Sequence, residues 1–226
     1  MTTRPADLAE PRGQAGTTPS LVASDRPLPL SADPMESLLV SCGLVALAEI
    51  GDKTQLLAFL LAARFKKPLP IILGILLATL LNHGLAGALG AWITATLDPR
   101  WLRWILAGSF LAMAVWTLIP DEIEQDEAHI ARRFGVFGAT LITFFLAEMG
   151  DKTQVATVAM AAHYAQPLMV VIGTTLGMLI ADVPAVFLGD KFAAKIPLRW
   201  VHGLAAAIFA GLGVATLLGA GSGLGF

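Results

Sequence analysis

Charge is scarce in this chain. Asp, Glu, Lys and Arg together make up 14% of its 226 residues, where a soluble domain carries about 25%. With a mean hydropathy of +0.72, that shortage excludes an ordinary water-facing surface and points to an integral membrane protein. Cysteine is nearly absent. The single Cys42 excludes a disulfide framework or a thiolate metal site within one chain, and it reads as a small apolar filler of the first span. A net charge of −2, with no basic patch, gives no footing for a nucleic-acid partner. Long apolar runs are missing only at the start. Residues 1–35 are rich in proline, with Pro5, Pro11, Pro19, Pro27, Pro29 and Pro34. They read as a disordered tail, and no apolar core follows a basic start there, so no cleavable signal peptide is expected.

A spanning helix needs about 20 mostly apolar residues. Six segments approach this: 37–63, 69–97, 102–119, 136–162, 168–189 and 200–220. The fold class predicted is an all-α membrane protein with six transmembrane helices. Trp101, Trp104, Trp116 and Trp200 fall near span ends, where amphipathic rings favour the membrane interface. Basic residues set the orientation. Arg64, Lys66, Lys67, Arg132, Arg133, Lys191, Lys195 and Arg199 follow spans one, three and five, against Arg26, Arg100 and Arg103 on the other side. The loops after spans one, three and five are therefore expected in the cytoplasm of a multi-pass cell (inner) membrane protein, with both termini outside.

Inside the first apolar run stands AEIGDKTQ, residues 48–55, and inside the fourth stands AEMGDKTQ, residues 147–154. The two copies belong to a longer repeat. At a shift of 99 residues, Glu49 falls on Glu148, Asp52 on Asp151, Pro68 on Pro167, Gly74 on Gly173 and Arg100-Trp101 on Arg199-Trp200, with no gap over about 70 positions. Each copy holds three spans, an odd number, so the second crosses in the opposite sense. That is the inverted-repeat plan of secondary transporters, whose sites lie near the midplane between the halves. The chain divides into the tail 1–35, a first three-helix repeat 36–120, an acidic cytoplasmic loop 121–133 and a second three-helix repeat 134–226.

On a continuous helix Glu49, Asp52 and Lys53 share a face. Gln55 lies one turn past Asp52, and Gly51 gives a neighbouring helix room to approach. Glu148, Asp151, Lys152, Gln154 and Gly150 repeat the pattern. Two Glu, two Asp and two Lys sum to −2, which one divalent cation neutralises. Carboxylate, amide and hydroxyl oxygens, including those of Thr54 and Thr153, suit Ca²⁺, Mn²⁺ or Mg²⁺ over Zn²⁺ or Cu⁺. Six charges in spans cost on the order of 15–20 kcal/mol before pairing. A register-fixing ion pair accounts poorly for such a cost repeated twice, whereas charged groups within spans usually mark transport paths. Lys53 and Lys152 offer either a partner for Asp in an empty site or a proton-carrying group. The acids are the better proton carriers, because metal and protons compete for the same oxygens.

Asn82 and His83 in span two, and Asp182 in register with His83, offer second-shell support or a proton relay, or else simple helix–helix hydrogen bonding. His129, His163 and His202 sit near span ends or in loops and read as solvated. The acidic stretch DEIEQDE, 121–127, reads first as a solvated connection and second as a cation attractor.

Two copies of E-x-G-D-[KR]-[TS], complete as EIGDKT at 49–54 and EMGDKT at 148–153, resemble the signature of the Gdt-type cation transporter family. That family includes bacterial manganese exporters and eukaryotic Golgi Ca²⁺/Mn²⁺ transporters. The resemblance covers residues 36–220. It implies a six-span fold, exchange of Ca²⁺ or Mn²⁺ against protons, and a cation site formed by Glu49, Asp52, Glu148 and Asp151. The acidic loop between the halves resembles the family arrangement, and the resemblance does not extend to the Pro-rich tail. The reading is a non-enzymatic exporter in the lipid bilayer, with Mn²⁺ first and Ca²⁺ second as transported ion and no cofactor. Two rivals use the same residues. One is a cationic amino-acid exporter, which needs fewer carboxylates and a helix break to bind the substrate carboxylate. The other is an intramembrane aspartyl protease with Asp52 and Asp151 as its dyad, which has no use for the duplicated Glu and Lys.

Overall fold

A computed structural model describes residues 33–119, 131–188 and 198–219. Among these, every regular element is a helix: α1 (Pro34–Glu49), α2 (Lys53–Phe65), α3 (Pro68–Thr96), α4 (Pro99–Trp116), α5 (Ala131–Glu148), α6 (Lys152–Tyr164), α7 (Pro167–Leu188) and α8 (Leu198–Leu217). The acidic stretch 121–127, His129 and nearly all of the Pro-rich tail lie outside the described residues.

The starts follow from local chemistry. Asp33 and Asp98 accept the backbone N–H groups of Met35 and Arg100, each at 2.9 Å, and Pro34 and Pro99 open the helices that follow. An Asp cap with Pro at the first helical position satisfies one orphan donor and removes another. Lys66 (φ 53°) and, 99 residues on, Ala165 (φ 51°) end α2 and α6 in the left-handed conformation. Pro68 and Pro167 then start the long helices α3 and α7. Gly135 (φ 68°) interrupts the first turns of α5.

Three helices are long and apolar enough to cross a membrane: α3, α7 and α8. Two bent pairs pass the same test together, α1 with α2 and α5 with α6, which raises the number to five. Neither pair is the continuous span expected from sequence: α1 and α2 meet at 69°, and α5 and α6 at 70°. Helix α4, expected as the third span, falls short of that test, because Arg100, Arg103 and two tryptophans fill its first turns.

The two halves pack by exchange. Helix α1 lies on α7, α5 on α3, and α4 on α8. Gly173 of α7 sits so close to α1 that a Cβ there would stand 2.5 Å from the Leu38 carbonyl oxygen and 3.1 Å from Ser41 Cβ. Its repeat counterpart Gly74 meets Thr140 of α5 at 2.7 Å, and Thr140 is the counterpart of Ser41. Lipid tails are as apolar as Leu, so close approach over small residues, not hydrophobic burial, holds such helices together. The apolar interior is shared: Leu44, Phe110, Met160, Met178 and Phe209 form one cluster, and Leu57, Ile71, Ile75, Phe144 and Val186 another. The outer faces carry Leu80, Leu81, Leu85 and Trp92 of α3 and Trp200 of α8, all exposed.

Candidate metal centre

Both copies of the motif lie at the breaks. Gly51 (φ 86°) and Gly150 (φ 78°) occupy a conformation that costs an L-residue roughly 1–2 kcal/mol. The chain turns there, so the single-helix placement of Glu49, Asp52 and Lys53 is corrected. The role expected for Gly150, room for a neighbouring helix, is corrected too. A Cβ at Gly150 would meet nothing within 4 Å, and what the site needs is the positive φ. Each turn is closed by a backbone bond, from Asp52 N–H to the Glu49 carbonyl (3.0 Å) and from Asp151 N–H to the Glu148 carbonyl (3.1 Å).

The glutamines pin the turns. Gln55 Oε1 accepts the Gly51 N–H at 2.9 Å, and its Nε2 donates to the Ala181 carbonyl of α7 at 2.8 Å. Gln154 Oε1 accepts the Gly150 N–H at 2.7 Å, and its Nε2 donates to Asn82 Oδ1 of α3 at 3.4 Å. Asn82 also donates to the Phe145 carbonyl at 3.0 Å. Asn82 and Ala181 are repeat counterparts, so a side-chain amide in one half replaces a backbone carbonyl in the other. The threonines hold the glutamates: Thr54 donates to Glu49 Oε2 at 2.5 Å, and Thr153 donates to Glu148 Oε2 at 3.1 Å.

Asp52 and Asp151 stand at the N-caps of α2 and α6, yet neither side chain caps its helix. An Asp at that position ordinarily accepts an N–H of the first turn. Here Asp52 Oδ1 accepts Lys152 Nζ at 3.0 Å, and Asp151 Oδ1 lies 3.6 Å from Lys53 Nζ. Glu49, Asp52, Glu148, Asp151 and Lys152 are all buried. Carboxylate oxygens of Glu49, Asp52 and Asp151 lie within 4.8 Å of one another, a spacing that one ion can bridge. Glu148 is not a member of that group, although Asp52 and Asp151 lie within its electrostatic range. One oxygen of each glutamate, Oε1, has no hydrogen-bond partner among the described residues.

His83 and Asp182 are fully buried on α3 and α7, and neither makes a side-chain hydrogen bond among the described residues. Helix–helix hydrogen bonding is thus not what they do here, whereas Asn82 does just that. Asp182 interacts electrostatically with Asp52 and Glu49. Two histidines read as solvated are not. His163 packs edge-on against Phe110 and Tyr164 and lies 3.4 Å from Thr216 Oγ1. His202 of α8 contacts the Ile50 carbonyl at 2.8 Å. A carbonyl only accepts, so Nε2 carries the proton and satisfies a peptide oxygen that the break sets free. The repeat held a signal for it, since His202 falls in register with Arg103, a polar residue at matching depth.

Comparison with known proteins finds one family and several relatives. The model of a family described as "Divalent cation/proton antiporter GDT1" matches residues 37–125 and 136–223. The chain is 51% identical over 183 residues to a Vibrio cholerae protein named "Putative manganese exporter", covering 80% of this chain and 90% of that one. It is 29% identical over 206 residues to GDT1-like protein 3 of rice (Oryza sativa subsp. indica), covering 80% and 73%. It is 28% identical over 207 residues to GDT1-like protein 3 of Arabidopsis thaliana, covering 80% and 70%. No solved structure matches.

Proposed function

The chain belongs to the GDT1 family of divalent cation/proton antiporters, a family of transporters and not of enzymes, and from that premise we propose that it exports Mn²⁺ across the cell membrane in exchange for protons. Ca²⁺ is the second candidate ion. The observation that carries the reading is the buried group of Glu49, Asp52 and Asp151, whose oxygens lie within 4.8 Å. Three acids in a dry site attract a doubly charged ion, and their hard oxygens favour Mn²⁺ or Ca²⁺ over softer metals. Glu148 completes the set of four as the halves rock. Thr54, Thr153, Gln55 and Gln154 support the ligands, and Asn82, His83 and Asp182 form the shell behind them.

In this reading α1 with α2, α3, α4, α5 with α6, α7 and α8 are six crossings arranged as two inverted repeats. Both termini face out, and the site is reached from the cytoplasm. Protons and metal compete for the same oxygens, so protonation on the outer side releases the ion and returns the carrier. The apparent affinity for Mn²⁺ accordingly falls as pH falls.

The cationic amino-acid exporter calls for a helix break, and two breaks are present. The breaks are lined by acids, however, and a substrate carboxylate would meet Glu49 and Asp52 there. The protease reading falls with the family. Mn²⁺ uptake into liposomes containing the purified protein, read together with internal pH, tests the proposal. Uptake that moves protons in the wild type and is lost in Glu49→Gln supports it. Uptake with no proton flux overturns the antiport, and arginine uptake without Mn²⁺ uptake overturns the substrate.

A further inference from the structure

Lys53 and Lys152 each follow an aspartate in sequence, yet each reaches the aspartate of the other half. Lys152 Nζ lies 3.0 Å from Asp52 Oδ1, and Lys53 Nζ lies 3.6 Å from Asp151 Oδ1. The crossing has a local cause. Asp is the N-cap, in extended backbone, and Lys is the first helical residue, and side chains one apart do not face each other. The two breaks are thus tied together by a pair of bridges that change places when the halves are exchanged.

The bridges are alike in sequence and unequal in surroundings. In the Lys152–Asp52 bridge both side chains are 1% exposed. In the Lys53–Asp151 bridge Lys53 is 26% exposed, Asp151 is 2% exposed, and the contact is longer. A fully buried ammonium held at 3.0 Å is bound more strongly than a partly exposed one at 3.6 Å. Both bridges end on aspartates of the three-acid group. A divalent ion coordinating those oxygens at about 2.0–2.6 Å competes with both ammonium groups for the same lone pairs.

We infer that Lys53 and Lys152 are two tethered counter-cations that close the empty carrier, and that they open in turn. This rests on the divalent-cation reading above. With no metal bound, the ammonium groups neutralise Asp151 and Asp52 while the exchanged protons neutralise the buried Glu49 and Glu148, so the carrier returns without bare buried charge. Lys53, in the longer and more exposed contact, swings away first, and metal reaches the acids past it while Lys152 stays shut. The state facing the other side has the inequality reversed, with Lys152 exposed and Lys53 buried. The lysines are positioning residues: they set when the acids are free, and they do not ligate the ion.

The full-length protein in detergent, titrated with Mn²⁺ alone, tests this with four variants: Lys53→Met, Lys152→Met, Lys53→Arg and Lys152→Arg. Removing a competing charged hydrogen bond is expected to tighten Mn²⁺ binding roughly tenfold or more in each Met variant, while turnover in liposomes falls. The Arg variants retain a cation and keep near-wild-type affinity. A role limited to stability would leave affinity unmoved. If Lys152→Met does not fold, Lys53→Met, at the more exposed bridge, still decides the matter. In a Cys42→Ser background without Mn²⁺, a membrane-impermeant thiol reagent is expected to label Lys53→Cys at least tenfold faster than Lys152→Cys. Unchanged Mn²⁺ affinity in Lys53→Met, or equal labelling of the two cysteines, overturns the inference while leaving the transport reading intact. Absence of Mn²⁺ binding by the wild type overturns the reading beneath it.

Discussion

At the first break Glu49 joins Asp52 and Asp151 within 4.8 Å, and His202 holds the Ile50 carbonyl. At the second break Glu148 stands outside the acid group. The residue in register with His202 is Arg103, whose guanidinium lies over the Trp104 ring. The motif's own contacts are the same at both: a glycine with positive φ, a glutamine holding its N–H, a threonine on the glutamate and a lysine from the opposite half. What differs comes from the helices around them. α3 supplies His83 where α7 supplies Asp182, and Asn82 where α7 offers the Ala181 carbonyl. Seven duplicated residues build two similar turns, and unequal neighbours give the two turns different chemistry.

The comparison is broken most severely through the glutamates. Glu49→Gln removes a charged ligand from the three-acid group and is expected to weaken Mn²⁺ uptake roughly 10–100-fold. Glu148→Gln is expected to act less on affinity and more on maximal rate. Concentration curves in liposomes check both, and equal loss of affinity in the two would erase the distinction between the breaks. The aspartates come next. Asp52→Asn opens the fully buried bridge and is expected to cost about 3–5 kcal/mol in equilibrium unfolding. Asp151→Asn, whose partner Lys53 is partly exposed, is expected to cost less, about 1 kcal/mol.

Smaller effects sharpen the account of the turns. Gly150→Ala meets no neighbour and is expected to cost only the left-handed backbone penalty, about 1–2 kcal/mol. If φ were not what Gly150 provides, the substitution would be neutral. His202→Ala removes one hydrogen bond to the Ile50 carbonyl, and the stability lost is expected to be about 1 kcal/mol. Arg103→Ala, in register with His202, makes the matched control, and thermal melting in detergent ranks the two.

Much of this was legible in the residues. Asp33-Pro34 and Asp98-Pro99 mark helix starts by a chemistry that needs no tertiary contact. The paired motifs at 49–54 and 148–153 named the acids, because charge in an apolar run is costly enough to require a purpose. The breaks were misread. E-x-G-D-K-T-Q fits a helical face well by spacing, and a glycine inside a helix pattern is compatible with either close packing or a turn. Only the positive φ at Gly51 and Gly150 separates the two. His202 was passed over for a similar reason, since its partner is a backbone carbonyl 152 residues away.

Composition, the 99-residue repeat and the duplicated motif determined by themselves that this is a helical membrane protein with acids in its interior and two related halves, because apolar length and charge cost act locally along the chain. Tertiary structure alone decided that each lysine answers the other half's aspartate, that Glu49 and not Glu148 joins the acid group, and that one bridge is fully buried while the other is partly exposed. Those outcomes depend on which helices close over each turn, and the two turns are written in nearly the same letters.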